Sequence, residues 1–217
     1  MAVSTPAKVS PKASSVQTSA QTKGERTRAA ILDEALRLVS KAGLDGLTIG
    51  TLAEATGMSK SGLFAHFGSR DELLLAVLAH GQAQFVEVVF QPAMGKPRGL
   101  PRLRAMFVNW LDWTESAELP GGCPMIGGAA EFDDRPGPVR DMLAGGQRTW
   151  IETLKRAVRQ AIGERQLAAD TDPEQIAFEM FGIALVVHHH RRLLSYRKAR
   201  ERALSALDSL FRRYAVS

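Results

Sequence analysis

The chain has 217 residues, of which 45% are hydrophobic, and a formal net charge of +5 at pH 7. This is enough to bury a sizeable core, and no uninterrupted apolar run reaches the length of a membrane-spanning helix, so no membrane association is expected. The N-terminus lacks the apolar centre of a signal peptide, and the single Cys123 cannot form an internal disulfide, so we expect a cytoplasmic protein.

Residues 1–22 are rich in Ser, Thr, Ala, Pro and Gln, a composition that predicts a disordered arm. The arm is either an inert leader or a basic extension that adds phosphate contacts to DNA. From Arg26 the pattern becomes helical and ends at Gly43. The apolar residues that recur with the helical period are Ile31, Leu32, Ala35, Leu38, Val39 and Ala42.

Three helix starts follow within a short stretch. Thr48 can cap a helix that runs to about Thr56, and Ser59 can cap a second helix that runs to His66. Ser69 starts a longer helix, with Glu72 placed to complete a capping box. The two short helices, joined by a tight turn at Gly57, predict a helix-turn-helix. In that motif the second helix presents its N-terminal residues to base edges in the major groove.

The rest of the sequence is predicted to be helical, and strand-like alternation is lacking. The expected segments are 70–90, 99–118, 122–132, 136–167, 172–195 and 198–215, and prolines separate several of them. The fold class is therefore all-α.

The run TIGTLAEATGMSKSGLFAHFGSRDELLLAVL, with the preceding GERTRAAILDEALRLVSKAGLDGLT, resembles the DNA-binding domain of the tetracycline-repressor (TetR) family. The resemblance covers about residues 24–80. It implies an N-terminal helix-turn-helix domain over 23–68 and a C-terminal ligand-binding and dimerisation domain over 69–217. It also implies a homodimer that binds a double-stranded DNA operator and a small-molecule effector.

The family pattern implies particular roles for residues of the first domain. Thr48 touches a phosphate, and the base-facing start of the recognition helix consists of Ser59, Lys60, Ser61 and Gly62. Residues implied to lie near the DNA backbone are Thr27, Arg28, His66 and Arg70. Phe64 stands where the family often has tyrosine. Without the hydroxyl it can only pack against sugar or backbone, at a cost of about 1 kcal/mol for the lost hydrogen bond.

Aromatic and soft apolar residues concentrate on the middle helices, and as a group they favour an apolar or aromatic effector. These residues are Phe107, Trp110, Trp113, Met125, Phe132, Trp150, Phe178 and Phe181. Any one of them alone is more often a core residue. The stretch GGCPMIGGAAEF is either a pliable pocket wall or a short, closely packed helix. Cys123 within it is either a pocket residue that senses oxidants or electrophiles, or an ordinary buried thiol.

His188, His189 and His190 are adjacent on a helix and point about 100° apart, so no metal site is predicted. Enzyme fingerprints are lacking, and we expect neither catalysis nor a cofactor. Two apolar stripes could form a four-helix bundle across a two-fold axis. They comprise Ile176, Met180, Ile183, Ala184 and Val187, and Leu204, Leu207, Leu210 and Phe211. The hypothesis is a repressor released from a palindromic operator by a small effector. The alternatives are an activator and a helical interaction protein without DNA binding.

Overall fold

A computed structural model describes residues 22–216 of the chain. The predicted disordered arm lies outside the described residues except for Thr22. Apart from one isolated bridge between Leu167 and Ala215, the regular structure of residues 22–216 is helical, as predicted. The helices are α1 (Lys23–Ala42), α2 (Ile49–Thr56), α3 (Lys60–Phe67), α4 (Arg70–Phe85), a π-helical segment (Val86–Phe90), α5 (Gln91–Met94), α6 (Leu100–Thr114), α7 (Pro124–Phe132), α8 (Pro138–Gly163), α9 (Pro173–Arg192) and α10 (Ala199–Tyr214).

Side-chain caps position the first four helices. The Thr48 hydroxyl accepts from the Thr51 N–H and the Ser59 hydroxyl from the Gly62 N–H, which confirms both predicted starts. At Ser69 only the serine half of the predicted capping box forms. The Ser69 hydroxyl accepts from the Glu72 N–H, but the Ser69 N–H donates to Phe67 O instead of to the Glu72 carboxylate. Helix α1 begins three residues before the predicted Arg26, since Thr22 caps it.

The helix-turn-helix packs on α1 and α4 through a small apolar core. Leu63 and Phe67 of α3 are buried, as are Leu47 and Leu52 around α2. Helix α4 then leaves this core and packs against α8 of the larger bundle. The apolar faces of α2 and α3 are thereby held inward, and their polar faces remain exposed.

The helix that starts at Arg70 continues beyond the predicted residue 90 through a π-helical segment and ends at Met94. Pro92 explains the change of winding, because proline has no N–H and displaces the carbonyl four residues earlier. In the wider turn the Gln91 N–H donates to Val86 O, and the Asn109 amide donates to Val89 O at 3.0 Å. The span Arg70–Met94 is long and apolar enough to cross a membrane, but core helices of water-soluble proteins pass the same test, so this is weak evidence.

The structure corrects the interpretation of α9. Ile176, Met180, Ala184 and Val187 are at most 3% exposed inside the protomer, where α9 packs on α8 and α10. These four residues therefore pack inside the protomer instead of across a two-fold axis. The same holds on α10 for Leu207, Leu210 and Phe211, whereas Ile183 and Leu204 are only partly buried. The opposite face of α9 carries the exposed apolar side chains Phe178, Leu185 and Val186.

Candidate nucleic-acid interface and ligand cavity

The N-terminal turn of α2 and the start of α3 converge on the same patch of surface. The Lys60 side chain extends over Gly50, where an added Cβ would stand 3.9 Å from Lys60 Nζ and 3.5 Å from Thr48 Oγ1. A helix N-terminus, a hydroxyl and an ammonium group thus meet within a few ångströms. Such a combination favours binding of a phosphate.

Helix α3 exposes the side that the sequence assigned to bases. Lys60, Ser61 and Phe64 are exposed, while Leu63 and Phe67 on the opposite side are buried. The hydroxyls of Ser59 and Ser61 lie 3.2 Å apart at the start of the helix. Phe64 is 57% exposed, which is unusual for an aromatic side chain in so small a domain.

Two of the other residues predicted near the DNA backbone, Arg28 and His66, lie at the C-terminal end of α3. The Arg28 guanidinium lies over the Phe67 ring, 5.1 Å from its centroid, and so is held beside the end of α3. His66 is exposed in the last turn of α3. The Thr27 hydroxyl donates to Lys23 O within α1.

Arg70 makes contacts within the protein that the sequence did not predict. Its guanidinium donates to the carbonyl oxygens of Leu44, Asp45 and Leu47, and it pairs with the Asp45 carboxylate at 3.2 Å. The neighbouring Arg135 pairs with the same carboxylate, and the two guanidinium groups hold the pKa of Asp45 below its usual range. Arg70 therefore braces the loop between α1 and α2, while its side chain remains 40% exposed.

A cavity of about 560 Å³ lies among α4, the π-helical segment, α6, α7, α8 and α9. Five of the predicted ligand residues line it, namely Trp110, Cys123, Met125, Trp150 and Phe181. Phe107, Trp113 and Phe132 are outside the lining. Phe107 is fully buried on another side of α6, and Phe132 is near the far end of α7. Further lining residues that the sequence did not single out include Gln82, Phe85, Val86, Phe90, Met142 and Gln147.

Cys123 lies at the cavity wall but is only 3% exposed. Burial raises the pKa of its thiol, although backbone N–H groups of Ile126 and Met125 and the Trp113 side chain act in the other direction. A protonated thiol is a poor nucleophile. The environment therefore favours an ordinary buried cysteine over an electrophile sensor.

The glycine-rich stretch proves to be closely packed at three of its four glycines. An added Cβ would meet Ser40 O at 1.4 Å at Gly121, His188 Nε2 at 2.7 Å at Gly122 and Leu44 Cδ1 at 2.5 Å at Gly128. Gly127 has open space around it. The same stretch also supplies part of the cavity wall through Cys123, Met125 and Ile126. The close packing therefore concerns the three glycines, and the contact with the cavity concerns these other residues.

Helix α7 connects the cavity wall with the loop before α2. At its C-terminal end the Glu131 carboxylate accepts from the Leu44 N–H at 3.1 Å and the Asp45 N–H at 2.9 Å. Leu44 is fully buried, so this contact fixes the loop to the larger bundle. One short helix therefore touches the ligand cavity at one end and the helix-turn-helix domain at the other.

The three histidines do not converge. His188 is partly buried against Gly122, and its pKa is lowered by burial and by the charge of Arg192. His189 is exposed. Across residues 22–216 the structure shows no cluster of three His, Cys, Asp or Glu side chains able to hold a metal ion.

Two family models match the chain in consecutive regions. The model of the bacterial regulatory proteins of the tetR family matches residues 31–77, which contain the helix-turn-helix. The model of the tetracyclin repressor-like C-terminal domain matches residues 99–207, half of the chain. The chain belongs to the tetR family. It is thus a transcriptional regulator and not an enzyme, in agreement with the sequence.

Individual relatives agree with this assignment. The HTH-type transcriptional repressor AcnR of Corynebacterium glutamicum is 39% identical over 67 residues, which are 31% of this chain and 36% of AcnR. The match thus spans about a third of that relative. The HTH-type transcriptional regulator SrpR of Pseudomonas putida is 24% identical over 148 residues, 68% of this chain and 67% of SrpR.

Solved structures of TetR regulators share the fold. One from Chloroflexus aurantiacus superposes with a TM-score of 0.81 at 24% identity, covering 89% of this chain and 98% of that one. AibR, solved in complex with isovaleryl coenzyme A and operator DNA, gives a TM-score of 0.67 at 25% identity, with 86% and 98% coverage.

Proposed function

We propose that this tetR-family regulator is a homodimeric repressor that binds a palindromic operator in the cytoplasm and releases it when a small apolar or aromatic effector occupies the cavity. The observation that carries the proposal is the convergence of Thr48, Lys60 and the α2 N-terminus beside an exposed α3. A repressor role is also supported by the similarity of the first domain to AcnR.

Each part of the surface has a different proposed contact with DNA. Thr48 and Lys60 bind one phosphate, and Arg28 binds another at the end of α3. Ser59, Ser61 and Gly62 approach base edges in the major groove. Phe64 packs on sugar beside them, and Thr27 and His66 lie near the backbone. Arg70 contributes by bracing the α1–α2 loop.

A link from effector to operator runs along α7. An effector that touches Met125 and Ile126 shifts α7, and Glu131 carries the displacement to the Leu44 and Asp45 backbone N–H groups just before α2. The effector acts only through its preference for one of the two positions of this loop. In the dimer, small changes of the loop alter the spacing of the two α3 helices.

Lys60→Ala is expected to weaken operator binding and to reduce its dependence on salt. Each phosphate contact contributes about 0.9 to the slope of log affinity against log salt, so losing one per protomer lowers the slope of a dimer by about 2. Fluorescence anisotropy with a labelled operator, repeated over a salt series, measures both quantities. Lys41→Ala, a change at an exposed lysine near the end of α1, is the matched control. If Lys60→Ala binds the operator as the unmodified protein does, the helical interaction protein becomes the better proposal.

Glu131→Gln is expected to preserve the fold and the affinity for the effector. It should, however, weaken the effect that a bound effector has on operator binding. The amide retains one acceptor oxygen for the two backbone N–H groups, so the α1–α2 loop is held less firmly. Coupling between two sites is typically about 5-fold or more, and we expect the effector-induced loss of operator affinity to be smaller in Glu131→Gln than in the unmodified protein. Glu118→Gln, at an exposed position before α7, is the control. An unchanged effector response in Glu131→Gln would exclude this route.

A further inference from the structure

The ligand cavity has a charge-free lining. Among the described residues that form its wall there is no Asp, Glu, Lys, Arg or His. We infer that the cavity takes an uncharged ligand with an aromatic ring, and that Gly145 in α8 leaves the space for that ring. The inference rests on the proposed function, since it names the class of effector for the same site.

An ionised ligand would lose its hydration in this cavity without gaining a counter-charge. An unpaired charge in such surroundings costs several kcal/mol even after the protein relaxes. The N-terminal turn of α7 could attract an anion, but Pro124 has no N–H and the Ile126 and Gly127 N–H groups already donate to Cys123 O at 3.1 Å. A coenzyme A thioester, the kind of molecule bound by AibR, could therefore place at most its acyl group here.

The polar groups of the wall match neutral hydrogen-bonding groups. The Gln147 amide donates to Met125 O at 3.0 Å and the Gln82 amide to Met142 O at 3.4 Å, which fixes which end of each amide is nitrogen. Each amide keeps its carbonyl oxygen and one N–H. They suit a hydroxyl, carbonyl or amide on the ligand.

Aromatic side chains form the apolar part of the wall. Trp150 meets Phe85 edge to face at 4.9 Å and Trp110 at 5.7 Å, and Trp110 meets Phe181 at 5.4 Å. These rings are fixed by one another and offer faces and edges to a further ring. Aromatic pairs contribute about 0.5–1.5 kcal/mol beyond their buried area, so a ring fits this wall better than a flexible chain does.

Gly145 is the least expected residue of the wall. It lies in the 26-residue helix α8, where glycine destabilises by about 1 kcal/mol relative to alanine. At its neighbour Gly146 a Cβ would meet the end of the flexible Gln82 side chain, 2.5 Å from Nε2, so that side chain would have to move. At Gly145 a Cβ would meet nothing within 4 Å, although the residue lines the cavity. A side chain at Gly145 is therefore tolerated by the fold, and it would take space from a ligand.

The experiment compares dyes of similar shape and different charge in the full-length protein without DNA. N-phenyl-naphthylamine is neutral, anilinonaphthalene sulfonate is its sulfonated analogue, and a naphthylmethyl trimethylammonium salt is a cationic competitor. Dye fluorescence and quenching of the cavity tryptophans give dissociation constants. We expect the neutral dye to bind at least 10-fold more tightly than either charged compound.

The second part of the experiment tests the variant Gly145→Leu. We expect it to weaken binding of the neutral dye at least 10-fold while the unfolding temperature stays equal or rises. Gly163→Leu, at the end of the same helix in open space, should bind the dye normally. The inference is overturned by equal binding of a charged compound at the same site, by no binding of the neutral dye, or by normal dye binding in Gly145→Leu. Because no DNA is present, a failure to find an operator leaves these results intact, and the two proposals fail separately.

Discussion

Replacing Gly121 with alanine is expected to lower the free energy of unfolding by about 3 kcal/mol, at the upper end of what overpacking usually costs. The added Cβ would stand 1.4 Å from Ser40 O and 1.9 Å from Ser40 C, which are backbone atoms of α1. A flexible side chain could move away from such a contact, but a helix backbone cannot do so without shifting the whole helix. The Gly121 N–H also donates to the Ser40 hydroxyl at 3.1 Å in a buried site, and the shift would break this bond.

Gly127→Ala is the matched control, because it changes a glycine of the same stretch that has nothing within 4 Å of its Cβ position. It lies inside α7, so alanine there is expected to stabilise the protein by about 1 kcal/mol or less. Urea unfolding followed by circular dichroism, at one fixed protein concentration, measures both changes. Similar midpoints for the two variants would show that the contact between residues 121 and 40 is not a fixed part of the fold.

The sequence predicted features that depend on neighbours along the chain. The caps at Thr48 and Ser59 and the buried Leu63 and Phe67 follow from patterns a few residues long, and the structure confirms them. The role of Arg70 could not be predicted in this way. Its carbonyl partners lie more than twenty residues earlier in the chain, and nothing local shows that they face it.

The residues that line the cavity could not be predicted from local sequence patterns either. Helical periodicity indicates that a face is apolar but not which helix covers it, so Phe107 and Trp110 looked equivalent although only Trp110 reaches the cavity. Likewise a glycine in the sequence does not reveal what its missing side chain would meet. Gly121 and Gly127 differ completely in this respect. On α9 both faces are apolar, and burial within the protomer decided which face remained outside.

The exposed face of α9 is the best candidate for the dimer interface. Phe178, Leu185, Val186 and Leu193 are 73%, 40%, 52% and 71% exposed. With about 100° between successive residues, Phe178, Leu185 and Val186 share one side of α9, and Leu193 continues that side just past the end of the helix. Gly182 lies within the stripe with open space around it, so another helix can approach closely. The exposed His189 also lies on this side of α9. A largely apolar stripe of this kind marks an interface, and a two-fold dimer pairs the same stripe with itself.

The double change Leu185→Asp and Val186→Asp is therefore expected to convert the proposed dimer into a folded monomer. Neither side chain supports the protomer core, but in the dimer each carboxylate would be buried opposite its symmetry mate. Operator affinity should fall by at least about 100-fold, because tethering of two half-site readers typically contributes a factor of this size or more. Analytical ultracentrifugation gives the oligomeric state, and anisotropy gives the affinity.

Val216→Asp, which adds the same charge at another exposed apolar position, should remain dimeric and bind the operator normally. If the double variant is still dimeric, the dimer interface lies outside this face of α9. A monomeric variant with full operator affinity would instead show that one helix-turn-helix suffices, and the palindromic operator would then lose its physical basis. Because the variant keeps Thr48, Lys60 and all of α3, any loss of affinity reports on pairing of the two protomers and not on the DNA contacts themselves.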